Sequence, residues 1–229
     1  MYRDFKSNPR NGILINNIQY KKNTIPRIPY YFIHPTKVGG SAFITCFTKY
    51  YPNLILSKGH TMKCSECHFP IIILRDPLDR FLSMYKYWKY GAKDGEHQRT
   101  NDFINVMKNV SLKDYIQFVK SNNPILLTKF TSKEHYSPLT NWITPSDYSK
   151  TIIIIYDKKN MEQKVFDLIQ YLNVYNFNIS FPEKNVSKGN ESLNELSEEL
   201  IQEIKEMYKS DYELFDKIKN EPHLFKKII

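Results

Sequence analysis

Short runs of consecutive apolar residues alternate along this chain with stretches in which apolar residues recur every three or four positions. Ile28–His34 (IPYYFIH), Asn53–Ser57 (NLILS), Phe69–Arg75 (FPIIILR) and Thr151–Asp157 (TIIIIYD) are β-branched or aromatic and bounded by proline, glycine or polar residues, which predicts four strands. The last is apolar without alternation, the pattern of a strand covered on both faces. Ser41–Tyr51 predicts a helix opening at a glycine pair. Asp76-Pro77 supplies an N-cap and a first-turn proline for an aromatic helix that reaches Tyr90 and stops at Gly91. Residues 91–102 (GAKDGEHQRTND) read as a polar loop. SLKDYIQFVK opens with a Ser-x-x-Asp capping pattern at Ser111, and another helix runs from TIIIIYD to Leu172. In the tail, Leu196, Leu200, Ile201, Ile204 and Tyr208 share one stripe, which predicts a single amphipathic helix packed on the core. Such alternation makes an α/β protein with a mainly parallel central sheet flanked by helices.

A length of 229 residues predicts one domain, 1–229, with an N-terminal extension at 1–27 and a C-terminal helical part at 190–229 packed on the core. With 41% apolar and 14% aromatic residues the chain is globular along most of its length. A net charge of +9 favours anionic partners, whether nucleotides, nucleic acid, glycans or a membrane face. The first thirty residues hold no apolar run long enough for a signal peptide or a membrane anchor, so the chain as written is expected to be cytoplasmic, with no membrane span. Three cysteines make no disulfide framework, and the sequons at Asn109, Asn178, Asn185 and Asn190 are expected to carry little weight, because glycosylation needs a secretory route.

Two elements carry chemistry. FIHPTKVGGSAF, Phe32 to Phe43, joins the first predicted strand to the first predicted helix, where unsatisfied backbone N–H groups and a positive helix end favour an anion. Gly39 and Gly40 are a notable pair among only seven glycines, and they let the backbone approach a ligand closely. Lys37 adds charge and Ser41 a hydroxyl. The lysine precedes both glycines, so this is not a Walker A loop, and alone it reads as an ordinary tight turn. The second element, IIILRDPLDRFLSMYKYW, sets Arg75 at the carboxyl end of a strand, where open parallel sheets bind ligands, and Ser83 two turns into the next helix. Arginine there suits a second phosphate, or else pairs with Asp76 or Asp79.

Together, PTKVGGSAF and LRDPLDRFLSMYKYW resemble the sulfotransferases that use 3′-phosphoadenosine 5′-phosphosulfate (PAPS), most closely the carbohydrate, Golgi-type group. The resemblance extends to KEHYSPLTNW, IIIIYDKKNME and the tail, and covers most of the chain after Pro29. It implies the P-loop-like sulfotransferase fold and transfer of a sulfuryl group from PAPS to a hydroxyl, with a carbohydrate as acceptor, no metal and no nucleic-acid partner. Lys37, Val38, Gly39, Gly40, Ser41 and Ala42 would bind the 5′-phosphosulfate, and Arg75 and Ser83 the 3′-phosphate. The loop Asn185–Gly189 would close over the nucleotide, with Lys188 as a further candidate contact. The family's proline usually precedes the loop lysine directly, whereas here Thr36 stands between Pro35 and Lys37. The luminal anchor of the animal relatives is not seen.

In-line sulfuryl transfer builds charge on the leaving phosphate, which Lys37 and the loop N–H groups are placed to stabilise. The acceptor hydroxyl needs a base. His60 follows the second strand on the ligand side and is the candidate catalytic base beside Lys37. Glu66 and His68 are alternatives, and His135 is a more distant base or an acceptor contact. Cys64-x-x-Cys67-His68 has the spacing of haem attachment, and with His60 it offers a tetrahedral zinc set or a redox pair; the plainer reading is a loop with incidental thiols. Two further readings are a catalytically silent module that binds anionic glycans or nucleic acid through a basic cleft, and a divergent nucleotide kinase, which the lysine position disfavours.

Overall fold

The computed structural model describes residues 30–50, 55–57, 60–91, 107–121, 135–173 and 196–229. The strands are β1 (Tyr30–Ile33), β2 (Ile55–Ser57), β3 (Pro70–Leu74), β4 (Ile152–Ile155) and β5 (Lys227–Ile228). They form one sheet in the order β2-β1-β3-β4-β5, and every neighbouring pair is parallel. The four predicted strands are all present. β5 is an addition, too short to leave a periodic signal. The centre of the sheet is dry: Pro70 to Leu74 are all buried, as are Ile152, Ile153 and Ile154. Continuous isoleucine is thus the mark of a strand with both faces covered.

The helices are α1 (Gly40–Tyr50), α2 (Pro77–Tyr90), α3 (Leu112–Lys120), α4 (Met161–Tyr171), α5 (Glu198–Met207) and α6 (Lys209–Asn220). Local chemistry sets the ends of α2. Asp76 accepts from the Asp79 N–H at 2.9 Å, Pro77 occupies the first turn, and Gly91 at φ 85 closes the helix with its N–H on the Tyr87 carbonyl. Ser111 and Asp114 cap α3 reciprocally. The tail differs from its predicted single helix. The backbone leaves helical geometry at Tyr208 (φ −113, ψ 26), which divides α5 from α6. Tyr208 is buried and donates its hydroxyl to the Tyr136 carbonyl at 2.8 Å, a tertiary bond that periodicity does not reveal. The Ile204 and Tyr208 end of the stripe still packs with α2 and α3, around Phe81, Tyr85, Tyr115 and Ile116. The loop expected at 91–102 lies outside the described residues beyond Gly91, as does the extension at 1–27.

Candidate functional site

The strand order reverses between β1 and β3: the chain leaves β1 to one side for β2, then crosses back to β3 on the other. In an open parallel sheet the crevice beyond the carboxyl ends at such a reversal is where ligands sit. Both candidate elements arrive there. The loop after β1 carries Lys37 to Ala42, and the residue after β3 is Arg75. They touch: Arg75 Nη1 donates to the Lys37 carbonyl at 2.7 Å, and its Nε donates to Asp79 Oδ2 at 2.6 Å. The ion pair foreseen for Arg75 therefore exists, but it accompanies a contact across 38 residues with the loop. The Arg75 guanidinium also lies over the Tyr156 ring, 4.6 Å from its centroid, at the carboxyl end of β4.

The backbone of the loop is shaped by its residue types. Lys37 has φ 63 and Gly39 φ 84, so two of three successive residues take left-handed geometry. Gly39 packs on Tyr156, whose ring would lie 2.8 Å from an added Cβ. At Gly40 a Cβ would fall 2.6 Å from His34 Nδ1 and 2.7 Å from its Cβ and Cγ. The glycine pair thus admits two specific rings beneath the turn that starts α1. Val38 and Ala42 are buried, so any contact they make with an anion is through backbone. Ser41 and Lys37 are half-buried, and the Lys37 ammonium sits 4.0 Å from the centroid of Tyr87. α1 has no acidic residue in its own first turn to offset its positive end. Ser83 is half-buried on α2, and Lys188 lies outside the described residues.

Histidines line the other side of the loop. His34 is 6% exposed, its ring stacked on Phe32 and edge-on to His60 at 4.4 Å. Burial, with a lesser contribution from His60, pushes its pKa down to about 3. His60 is exposed, and its Nδ1 lies 2.8 Å from the His34 carbonyl oxygen. A carbonyl only accepts, so Nδ1 carries the proton and the neutral ring keeps its lone pair on Nε2. The Trp142 indole donates to the His60 carbonyl at 2.7 Å, which fixes the backbone on that side. The His135 ring stands 6.3 Å from that of His60 and 5.2 Å from Trp88.

Glu66 and His68 stand elsewhere. They lead into the amino end of β3, whose carboxyl end bears Arg75, so the length of that strand separates them from Arg75. Cys64 and Cys67 go with them and are buried in the main core. Burial pushes the Cys64 thiol up, and Cys67 Sγ donates to Met62 Sδ at 3.3 Å. Among the described residues no group of three or more His, Cys, Asp or Glu is arranged to hold a metal ion. The Cys-x-x-Cys-His spacing here belongs to a short turn packed on the sheet.

Arg80, for which the sequence suggested no role, is the largest fully buried side chain among the described residues. Its Nε donates to the Thr36 carbonyl at 3.0 Å, Nη1 to Ser137 at 2.9 Å and Nη2 to His135 at 3.4 Å. Burial lowers its pKa, opposed by Tyr208 and by Asp211, whose own carboxyl burial pushes up. The signal was its register: three residues from Pro77 and four from Met84, it falls on the buried face of α2, where a charge demands partners.

Residues 49–217 match the model of the Sulfotransferase family. The matched span includes His60, Arg75, Arg80, Ser83 and His135 and begins after the Lys37 loop. No curated protein and no solved structure matches the chain.

Proposed function

The chain belongs to the sulfotransferase family, whose chemistry is sulfuryl transfer, and from that premise we propose that it moves the sulfuryl group of PAPS to a hydroxyl of a carbohydrate. The observation that carries this reading is the meeting of the Lys37 loop with Arg75 at the reversal of the sheet. Two anion-binding elements side by side suit a nucleotide with phosphates at both ends. The turn from Lys37 to Ala42, at the positive end of α1, receives the 5′-phosphosulfate. Arg75, oriented by Asp79 and Tyr156, receives the 3′-phosphate together with Ser83, with Lys188 as a further contact to the nucleotide.

In the reaction the acceptor oxygen forms its bond to sulfur as the bond from sulfur to the 5′-phosphate oxygen breaks, and negative charge grows on that phosphate. Lys37 and the first N–H groups of α1 stabilise it in place, without reorganisation. The hydroxyl proton passes to His60 Nε2, whose lone pair is guaranteed by the bond from Nδ1 to the His34 carbonyl. His34 stays neutral throughout, so it adds no competing charge behind the base.

Ligand-dependent melting tests the donor assignment. At about 100 times its Kd, adenosine 3′,5′-bisphosphate adds about 2.7 kcal/mol of stability, or roughly 5–11 °C in Tm for a chain this size. ADP and ATP, which lack the 3′-phosphate, shift it far less. Equal shifts with all three nucleotides contradict the assignment.

A further inference from the structure

Residues 135–141 make no regular strand or α-helix, yet side chains from three different elements hold their backbone. The His135 carbonyl accepts from Thr36 Oγ1 at 3.1 Å and from Arg80 Nη2 at 3.4 Å. The Tyr136 carbonyl accepts from the Tyr208 hydroxyl, and the Ser137 carbonyl from Arg80 Nη1. Asp211 Oδ1 accepts from the Thr140 N–H at 3.1 Å. A surface connection has water for its carbonyls; one pinned by a buried arginine, a buried tyrosine and a buried aspartate is fixed in place.

Thr36 is the link between this segment and the donor loop. Its own carbonyl takes the Arg80 Nε while its hydroxyl takes His135, so one residue is tied into both. It is also the residue that stands where the resemblance leads one to expect proline, which has neither a hydroxyl nor an N–H. The result of the tie is a second imidazole at 6.3 Å from His60, on the same side of the loop. That spacing leaves room for one hydroxyl oxygen within hydrogen-bond reach of a nitrogen on each ring.

We propose that Thr36 is a positioning residue for the acceptor side of the site: with Arg80 it sets His135 opposite His60, so that the acceptor hydroxyl lies between two imidazoles. The inference rests on the reading of His60 as the base. Among the described residues, the titratable and charged groups that face His135 include His60, with His34 behind it, and the Arg80 guanidinium, with Asp211 behind that.

The test is a pH titration of the full chain labelled at histidine, followed by NMR, with the His60 and His135 signals assigned from His60→Asn and His135→Asn. Two imidazoles this close sense each other's charge. Removing His60 therefore raises the His135 midpoint by about half a pH unit. In Thr36→Val that dependence on residue 60 is measurably reduced, and Thr36→Ser restores it. A His135 titration indifferent to residue 60 in the wild type overturns the proposal, as does a Thr36→Val protein indistinguishable from wild type. Calorimetry with adenosine 3′,5′-bisphosphate on the same samples separates the two readings. Thr36→Val keeps wild-type affinity within about threefold, because the donor contacts are untouched. A wild type that ignores the nucleotide contradicts the donor assignment while the imidazole coupling still decides this one.

Discussion

Replacing Gly40 by alanine adds a single methyl group at the most crowded point of the candidate site. The new Cβ falls 2.6–2.7 Å from three atoms of His34, closer than carbon atoms approach in folded proteins. His34 has little room to yield. Its ring lies against Phe32 with centroids 5.3 Å apart and against His60 at 4.4 Å, and its carbonyl holds the His60 Nδ1. Overpacking of this kind costs about 1–3 kcal/mol. The exchange of glycine for alanine at a helix start returns at most about 1 kcal/mol. A net loss of about 1–2 kcal/mol lowers Tm by roughly 2–8 °C in a chain this size. The strain is relieved by moving either the histidine or the loop, so affinity for adenosine 3′,5′-bisphosphate falls at least tenfold. Gly91→Ala is the control. Gly91, unlike Gly40, has positive φ, and nothing lies within 4 Å of the added carbon, so it loses stability alone and keeps nucleotide affinity. Thermal unfolding and calorimetry on both variants check this; a Gly40→Ala protein with wild-type Tm and wild-type affinity refutes the claim that Gly40 seats the loop on His34.

Arg75→Ala should weaken adenosine 3′,5′-bisphosphate by roughly 1.5–3 kcal/mol and 5′-AMP much less, as competition binding will show, because only the former carries the phosphate assigned to it. Lys37→Ala should lower kcat by about 10²-fold or more with a smaller change in the Michaelis constant for PAPS, as steady-state kinetics will report; an unchanged kcat leaves the lysine a binding charge only. His34 ties stability to pH. Its folded pKa of about 3 lies below the ordinary histidine value of 6.5, so between these limits the unfolded chain binds the extra proton. Stability is therefore fully present above about pH 6.5 and falls as pH drops towards 3, by at most about 1.4 kcal/mol per unit. Urea unfolding at several pH values should show His34→Asn with a shallower slope than wild type; equal slopes assign the dependence to other groups.

The sequence made the sheet legible because its central strands are covered on both faces, and Ile71 to Leu74 and Ile152 to Ile155 are nearly all carbon. The ends of α2 were legible for a local reason, since Asp76, Pro77 and Gly91 act within one turn of themselves. The break at Tyr208 and the strand at Lys227–Ile228 depend on partners far along the chain, Tyr136 and β4, and no window of sequence contains both sides. At the site, Lys37, the glycine pair and Arg75 declared themselves by residue type. What escaped was the support beneath them. Tyr156 under Gly39, His34 under Gly40 and Arg80 behind Thr36 are recognised only when the strand order brings the ends of β1, β3 and β4 together. His68 and Glu66 were close to His60 in sequence but lead into the amino end of β3, so that strand lies between them and Arg75.

The most direct test of PAPS-dependent sulfuryl transfer follows the label itself: purified chain, PAPS carrying ³⁵S, and a set of unsulfated glycans, with metal chelated. The account predicts ³⁵S in a glycan product matched one for one by adenosine 3′,5′-bisphosphate, and loss of both in Lys37→Ala. Release of nucleotide product only from ATP, and only with Mg²⁺ restored, would contradict it.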